Sequence, residues 1–104
     1  MTGSSALRIA ADHPAFAGHF PGSPIVPGVV LLDEALVAIA AALQVRVDRC
    51  RLAQVKFRSV VRPGQALALS FESTSPGTVR FLIATGSVAV AEGTLTLAAQ
   101  ERQQ

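Results

Sequence analysis

The chain contains no tryptophan, no tyrosine and a single cysteine, Cys50. One cysteine excludes an intrachain disulfide and argues against a structural zinc site, so no metal is expected. The only aromatic residues are five phenylalanines, and nine basic residues stand against seven acidic ones, for a net charge of +2. Nucleic-acid binding calls for a denser basic face and more stacking rings, so no nucleic-acid partner is expected. The opening residues Met1-Thr2-Gly3-Ser4-Ser5 show neither the basic nor the apolar segment of a secretion signal. The longest apolar stretch, residues 29–43, is interrupted by Asp33 and Glu34, too short and too charged for a membrane span. A cytoplasmic protein without a membrane partner is the expectation.

Apolar residues are abundant. Half of the 104 residues are hydrophobic, 15% are charged, and the mean hydropathy is +0.44. The length suits one domain, residues 1–104. Size scaling has such a chain bury about 65% of its unfolded surface. The composition is more apolar than a small monomer needs, which predicts that part of the surface is covered by another subunit.

Along the chain, residues 1–5 read as a frayed start and Ala6–Ala10 as a short strand. Pro14, Gly18, Pro21, Gly22, Pro24, Pro27 and Gly28 then mark a long irregular loop, and loops of that length in small domains usually serve function. Val29 to Gln44 predicts a helix, apolar nearly all round and therefore buried and central. Four antiparallel strands follow. Leu52–Arg62 alternates, with Ala53, Val55, Phe57, Ser59 and Val61 on one face. Gln65–Glu72 and Thr78–Thr85 turn Leu67, Leu69, Phe71, Val79, Phe81 and Ile83 inward. Ser87–Ala98 changes parity, which predicts a β-bulge near Glu92-Gly93. The expected class is α+β, an antiparallel sheet wrapped around one central buried helix.

The chemistry concentrates between Gly18 and Leu36. His19 sits in a rigid Pro/Gly loop, where an imidazole that titrates near neutrality suits a general base. Gly28 opens the helix, so its N–H is free of intrahelical bonding and lies at the positive end of the helix dipole, placed to polarise a carbonyl. Asp33 and Glu34 are carboxylates in an otherwise apolar helix, and burial there favours the protonated acid. Base, oxyanion donor and acid together suit proton abstraction beside a carbonyl with protonation of a leaving group. The spacing alone is equally met by a loop histidine and a solvated acid.

The stretch Gly18-His19-Phe20-Pro21-Gly22-Ser23-Pro24-Ile25-Val26-Pro27-Gly28-Val29, continuing to Asp33, resembles the β-hydroxyacyl-acyl carrier protein dehydratases of FabZ and FabA type. Two further segments resemble the same family: Val55-Lys56-Phe57-Arg58 with Val61-Arg62-Pro63-Gly64, and Val90-Ala91-Glu92-Gly93-Thr94-Leu95-Thr96. The resemblance covers about residues 6–98 and is nearest to the compact ApeI-like branch. It implies the dimeric hotdog fold. It implies a hydro-lyase that converts 3-hydroxyacyl thioesters to trans-2-enoyl thioesters, in fatty acid or related polyene biosynthesis. The substrate would ride on the phosphopantetheine of acyl carrier protein, with no other cofactor. By the same resemblance His19 is the base, Asp33 the acid and Gly28 N–H the carbonyl donor. Glu34, one residue out of register, is the alternative acid. Because the family's site lies at a dimer interface, His19 of one subunit would face Asp33 of the other.

Around these, Phe20, Pro27, Val29 and Val37 are candidate substrate contacts. Val37 stands where the family usually carries a glutamine, and the segment ahead of residue 6 is shorter than in FabZ-type enzymes. Arg46, Arg49, Arg51, Lys56, Arg58 and Arg62 are candidates for docking an acidic carrier protein, or a solvated face. His13 reads as a loop residue and Cys50 as unreactive. Two alternatives stay open: an acyl thioesterase, and a non-catalytic subunit that pairs with an active homologous hotdog chain.

Overall fold

In the computed structural model, residues 2–7, 26–45, 50–62 and 64–97 are described. The elements are β1 (Thr2–Leu7), α1 (Gly28–Leu43), β2 (Arg51–Phe57), β3 (Leu67–Ser75), β4 (Thr78–Thr85) and β5 (Val88–Thr96). The strands form one five-stranded antiparallel sheet in the order β1-β3-β4-β5-β2. Period-two alternation decides what each strand buries. Leu67, Leu69 and Phe71 of β3 and Val79, Phe81 and Ile83 of β4 point to one face, where they meet Leu31, Ala35 and Ile39 of α1 in a single core. The opposite face carries Ser70, Glu72, Arg80 and Thr94. No polar side chain is buried among the described residues. The turns follow their residues: Gly77 takes φ +78° after Pro76, and Gly86 takes φ +60° in the two-residue link between β4 and β5.

Several expectations are corrected. β1 begins at Thr2, within the segment expected to fray. As an edge strand it needs a ladder on one side only, and Thr2 and Ser4 alternate outward. Gly3 lies opposite Phe71, and a Cβ at Gly3 would come within 2.5 Å of that ring. Small residues here therefore admit the phenylalanine. Residues 8–10, where the strand was expected to continue, lie outside the described residues.

β2 ends at Phe57, not Arg62, because the N–H groups of Arg58 and Ser59 both turn to the carbonyl of Val90. Its alternation is also broken. Gln54 and Val55 together oppose the one residue Gly93, and Gln54 adopts φ +56°. Ala53, expected on one face with Val55 and Val61, is exposed beside Thr94. In β5 the irregularity lies earlier than expected: the register shifts so that Val90 and Ala91 are both buried.

The helix starts at Gly28 and ends at Leu43 with Gln44 left-handed. It is not buried all round. Leu31, Ala35 and Ile39 face the core, while Val29 (71% exposed) and Val37 (62% exposed) lie outside with Asp33 between them.

Candidate active site

Two elements converge at the start of α1. Val26 N–H donates to Val61 O at 2.7 Å, tying the approach to the helix to the segment after β2. Pro27 is the N-cap, with φ −61° and ψ 144°, and its carbonyl accepts from the N–H of Val30 at 3.0 Å and of Leu31 at 3.3 Å. No side chain caps this end and its first turn holds no acidic residue. Among the described residues, the N–H groups of Gly28 and Val29 have no partner. Unpaired donors at a helix N-terminus carry partial positive charge and suit a polarised carbonyl oxygen.

Gly28 sits under the ring of Phe57. A Cβ at position 28 would lie 2.7 Å from two carbons of that ring, so only glycine fits without displacing it. Phe57 was not among the residues singled out from the sequence. Its parity put it on one face with Val55 and Val61, but no local signal marked its contact with Gly28.

Asp33 lies five residues into the helix, about 7–8 Å along its axis from Gly28. It is exposed and shares a stripe with Val29 and Val37, one turn before and one turn after it. Glu34 is half-buried on the neighbouring face. Neither carboxylate makes an ion pair or hydrogen bond to another described residue. The structure thus gives the two acids different surroundings, and Asp33 is the one on the open apolar stripe.

The corner between the start of α1 and the end of β2 is a cavity of about 520 Å³ lined by Val26, Gly28, Val29, Leu31, Leu32, Phe57, Ser59 and Val60. Two of the expected substrate contacts bear on it: Val29 lines it, and Pro27 is half-buried beside it. Val37 lies two turns from this cavity on the Asp33 stripe. His13, His19, Phe20, Arg46 and Arg49 lie outside the described residues.

The strand face expected to be basic is mixed. Lys56 is opposite Glu92 in the ladder, and Arg58 forms an ion pair with Glu92. That hydrogen bond, with the positive charges of Arg58, Lys56 and Arg80 around it, holds the Glu92 carboxyl below the usual carboxylate range. Arg51 and Arg62 are exposed.

Comparison with known proteins agrees with this architecture. Residues 2–94 match the ApeI-like family, described as ApeI dehydratase. A 3-hydroxyacyl-[acyl-carrier-protein] dehydratase FabZ of Chlamydia caviae is 33% identical over 92% of the chain and 71% of its own length. The FabZ of Chlamydia trachomatis serovar L2 is 34% identical over 86% and 67%. Among solved structures, the dehydratase heterocomplex ApeI:P from Xenorhabdus doucetiae superposes with a TM-score of 0.71 at 21% identity, over 91% of this chain and 85% of that one. A fluoroacetyl-CoA thioesterase, FlK, superposes with a TM-score of 0.61 at 13% identity, over 97% and 87%. At these identities the structural likeness is one of fold alone: the hotdog, as the sequence led one to expect.

Proposed function

The chain belongs to the ApeI-like dehydratase family, and on that premise we propose that it removes water from 3-hydroxyacyl groups carried as thioesters on acyl carrier protein. The observation that carries this reading is the start of α1. It offers an uncapped N-terminus at Gly28 and, five residues on, an exposed carboxylate between two exposed valines. The rest of the constellation comes from the motif between Gly18 and Asp33.

In the proposed reaction His19 takes the proton from the carbon next to the thioester carbonyl. The electron pair left behind moves into the carbonyl, whose oxygen is held by Gly28 N–H. Collapse of that enolate forms the carbon–carbon double bond and breaks the carbon–oxygen bond at the β position. Asp33 supplies the proton that lets the hydroxyl leave as water. The thioester itself acidifies the α-hydrogen, so the step calls for no metal or redox group, and the carrier's phosphopantetheine supplies the handle.

A second hotdog subunit belongs to this reading. Asp33 shares its stripe with Val29 and Val37, and Phe57 and Val60 are likewise more than half exposed. β2 closes one end of the sheet, so its outer edge has no ladder partner among the described residues. A second copy, or a homologous chain, laid against this side buries the valines, roofs the cavity and brings its own His19 loop to Asp33. The exposed Arg51 and Arg62 are the better candidates for meeting an acidic carrier, since Arg58 is already engaged by Glu92. The enzyme would work in the cytoplasm.

The test is hydration of trans-2-enoyl-acyl carrier protein, the reverse reaction, followed by loss of enoyl absorbance. His19→Ala and Asp33→Asn are expected to lower kcat by roughly 10²–10⁴-fold, while Glu34→Gln keeps activity near the parent. A folded, dimeric parent that stays inert with every carrier and acyl group would overturn the assignment in favour of a non-catalytic subunit. Loss in Glu34→Gln but not Asp33→Asn would transfer the acid role to Glu34.

A further inference from the structure

The cavity at the start of α1 is lined by side chains without charge. Ser59 is its one polar lining side chain, and that hydroxyl donates to Ala89 O at 2.9 Å. Such a space favours an apolar group and offers no counter-charge to an ionic one. It opens beside Gly28, where the carbonyl of the substrate would be held. Its occupant, taking the dehydratase reading as the premise, is therefore the acyl group beyond the reacting carbons.

Its lining divides into fixed and adjustable parts. Val26 and Leu31 belong to the buried core. The backbone on either side of the cavity is fixed as well. Arg58 N–H and Ser59 N–H bond Val90 O at 2.7 and 3.3 Å, and Val26 N–H bonds Val61 O at 2.7 Å. The ring of Phe57 differs from these. It is 52% exposed and occupies the place that a side chain at Gly28 would take. No other lining side chain combines that size with that freedom, and, the chain neighbours of Gly28 apart, the three atoms nearest a Cβ there all belong to this ring.

We propose that Phe57 sets the length and bulk of the acyl group this protein accepts, as a wall of the cavity placed against Gly28. Replacing the ring by a smaller side chain enlarges the cavity while leaving the strand end and the helix start tied together by their backbone bonds. Filling the cavity from Val60, on the exposed rim, has the opposite effect.

The experiment uses two ladders of thioesters on the dimeric protein. Saturated acyl-pantetheines from butyryl to dodecanoyl, followed by calorimetry, read the cavity without turnover. The matching trans-2-enoyl-acyl carrier proteins read it through kcat/KM. Phe57→Leu and Phe57→Ala are expected to raise the long-to-short preference by roughly tenfold or more in both ladders, the size of effect that added apolar contacts in a pocket give. Val60→Phe is expected to shift it the other way, and it keeps the test available should Phe57→Ala fold poorly. A uniform loss across all lengths, or an unchanged preference in the binding ladder, overturns the proposal, because a ring that only props the helix start moves every substrate equally. The two readings separate cleanly. A binding ladder that shifts in a protein without turnover keeps this cavity and removes the dehydratase, whereas turnover with an unshifted ladder does the reverse.

Discussion

Three glycines among the described residues, Gly3, Gly28 and Gly93, lie beneath phenylalanine rings, and the difference between the last two divides the structure into scaffold and site. A Cβ at Gly93 would come within 2.8 Å of the Phe81 ring, and one at Gly28 within 2.7 Å of the Phe57 ring. The local device is the same. The surroundings are not: Phe81 is 2% exposed in the centre of the sheet, and Phe57 is 52% exposed at a strand end. A ring with neighbours on every side has nowhere to go, so the Gly93 contact fixes the packing of β4 against β5. A ring open to solvent can swing, so the Gly28 contact fixes a shape and contributes little to stability.

That contrast is sharpest in the deletion of each ring. Phe81→Ala is expected to cost about 3–5 kcal/mol of folding stability, read as a fall in the denaturation midpoint. Phe57→Ala is expected to cost less than about 1 kcal/mol, as for other open positions, while it changes which acyl groups bind. Equal destabilisation by the two would remove the distinction.

Adding a methyl group under each ring tests it from the other side. Gly93→Ala forces Phe81 or Val55 aside in a filled core and is expected to cost about 1–3 kcal/mol. Gly28→Ala displaces an exposed ring and gains some helix propensity, so its melting temperature stays close to the parent. Its kcat/KM is expected to fall by roughly tenfold to a hundredfold, since small displacements at a reacting centre cost that much. A Gly28→Ala protein with unaltered kinetics would show that the ring's position against the helix start does not matter.

The smallest effect is electrostatic. Arg58, with help from Lys56 and Arg80, holds the Glu92 carboxyl below its ordinary range. A carboxylate with a depressed pKa in the folded state stabilises that state at pH above its unfolded value, and the contribution is lost as pH falls through the folded value. Arg58→Ala is expected to return the Glu92 titration toward the ordinary range, measured by carboxyl chemical shifts, with little change at neutral pH because the pair is largely solvent-exposed. An unmoved Glu92 midpoint would show that the ladder neighbours, not Arg58, hold it.

Much of this was legible in the residues. The alternation of Leu67, Leu69 and Phe71, and of Val79, Phe81 and Ile83, announces two strands with one buried face, and the structure places all six in the core. Val88 through Leu97 change parity, so a bulge had to exist, although its place at Val90-Ala91 depends on pairing with β4. β1 was missed at its start because Thr2-Gly3-Ser4-Ser5 has no apolar pattern of its own; its reason for being a strand is the Phe71 ring across from Gly3. The left-handed turn at Gln54 carries no local signal either, since glutamine does not favour positive φ. At the site, Gly28 and Asp33 were legible from their places in a motif and a helix. Phe57 was not, because its meaning lies in a contact with a residue twenty-nine positions earlier in the chain.

The doubled residues in β2 have a consequence for how this chain tolerates change in length. Opposite Gly93, β2 places Gln54 and Val55 where an unbroken ladder would place one residue. Remove either, and the ladder closes over the gap: Ala53 stays opposite Thr94, Lys56 opposite Glu92 and Phe57 opposite Ala91, so the ring keeps its side. A single-codon deletion at this point would therefore straighten the strand without turning its end over, whereas the same deletion within the unbroken ladder of β4, between Val79 and Ile83, would carry every residue beyond it to the other face. Natural variants of this domain are expected to lose a residue between Ala53 and Phe57 more readily than between Val79 and Ile83.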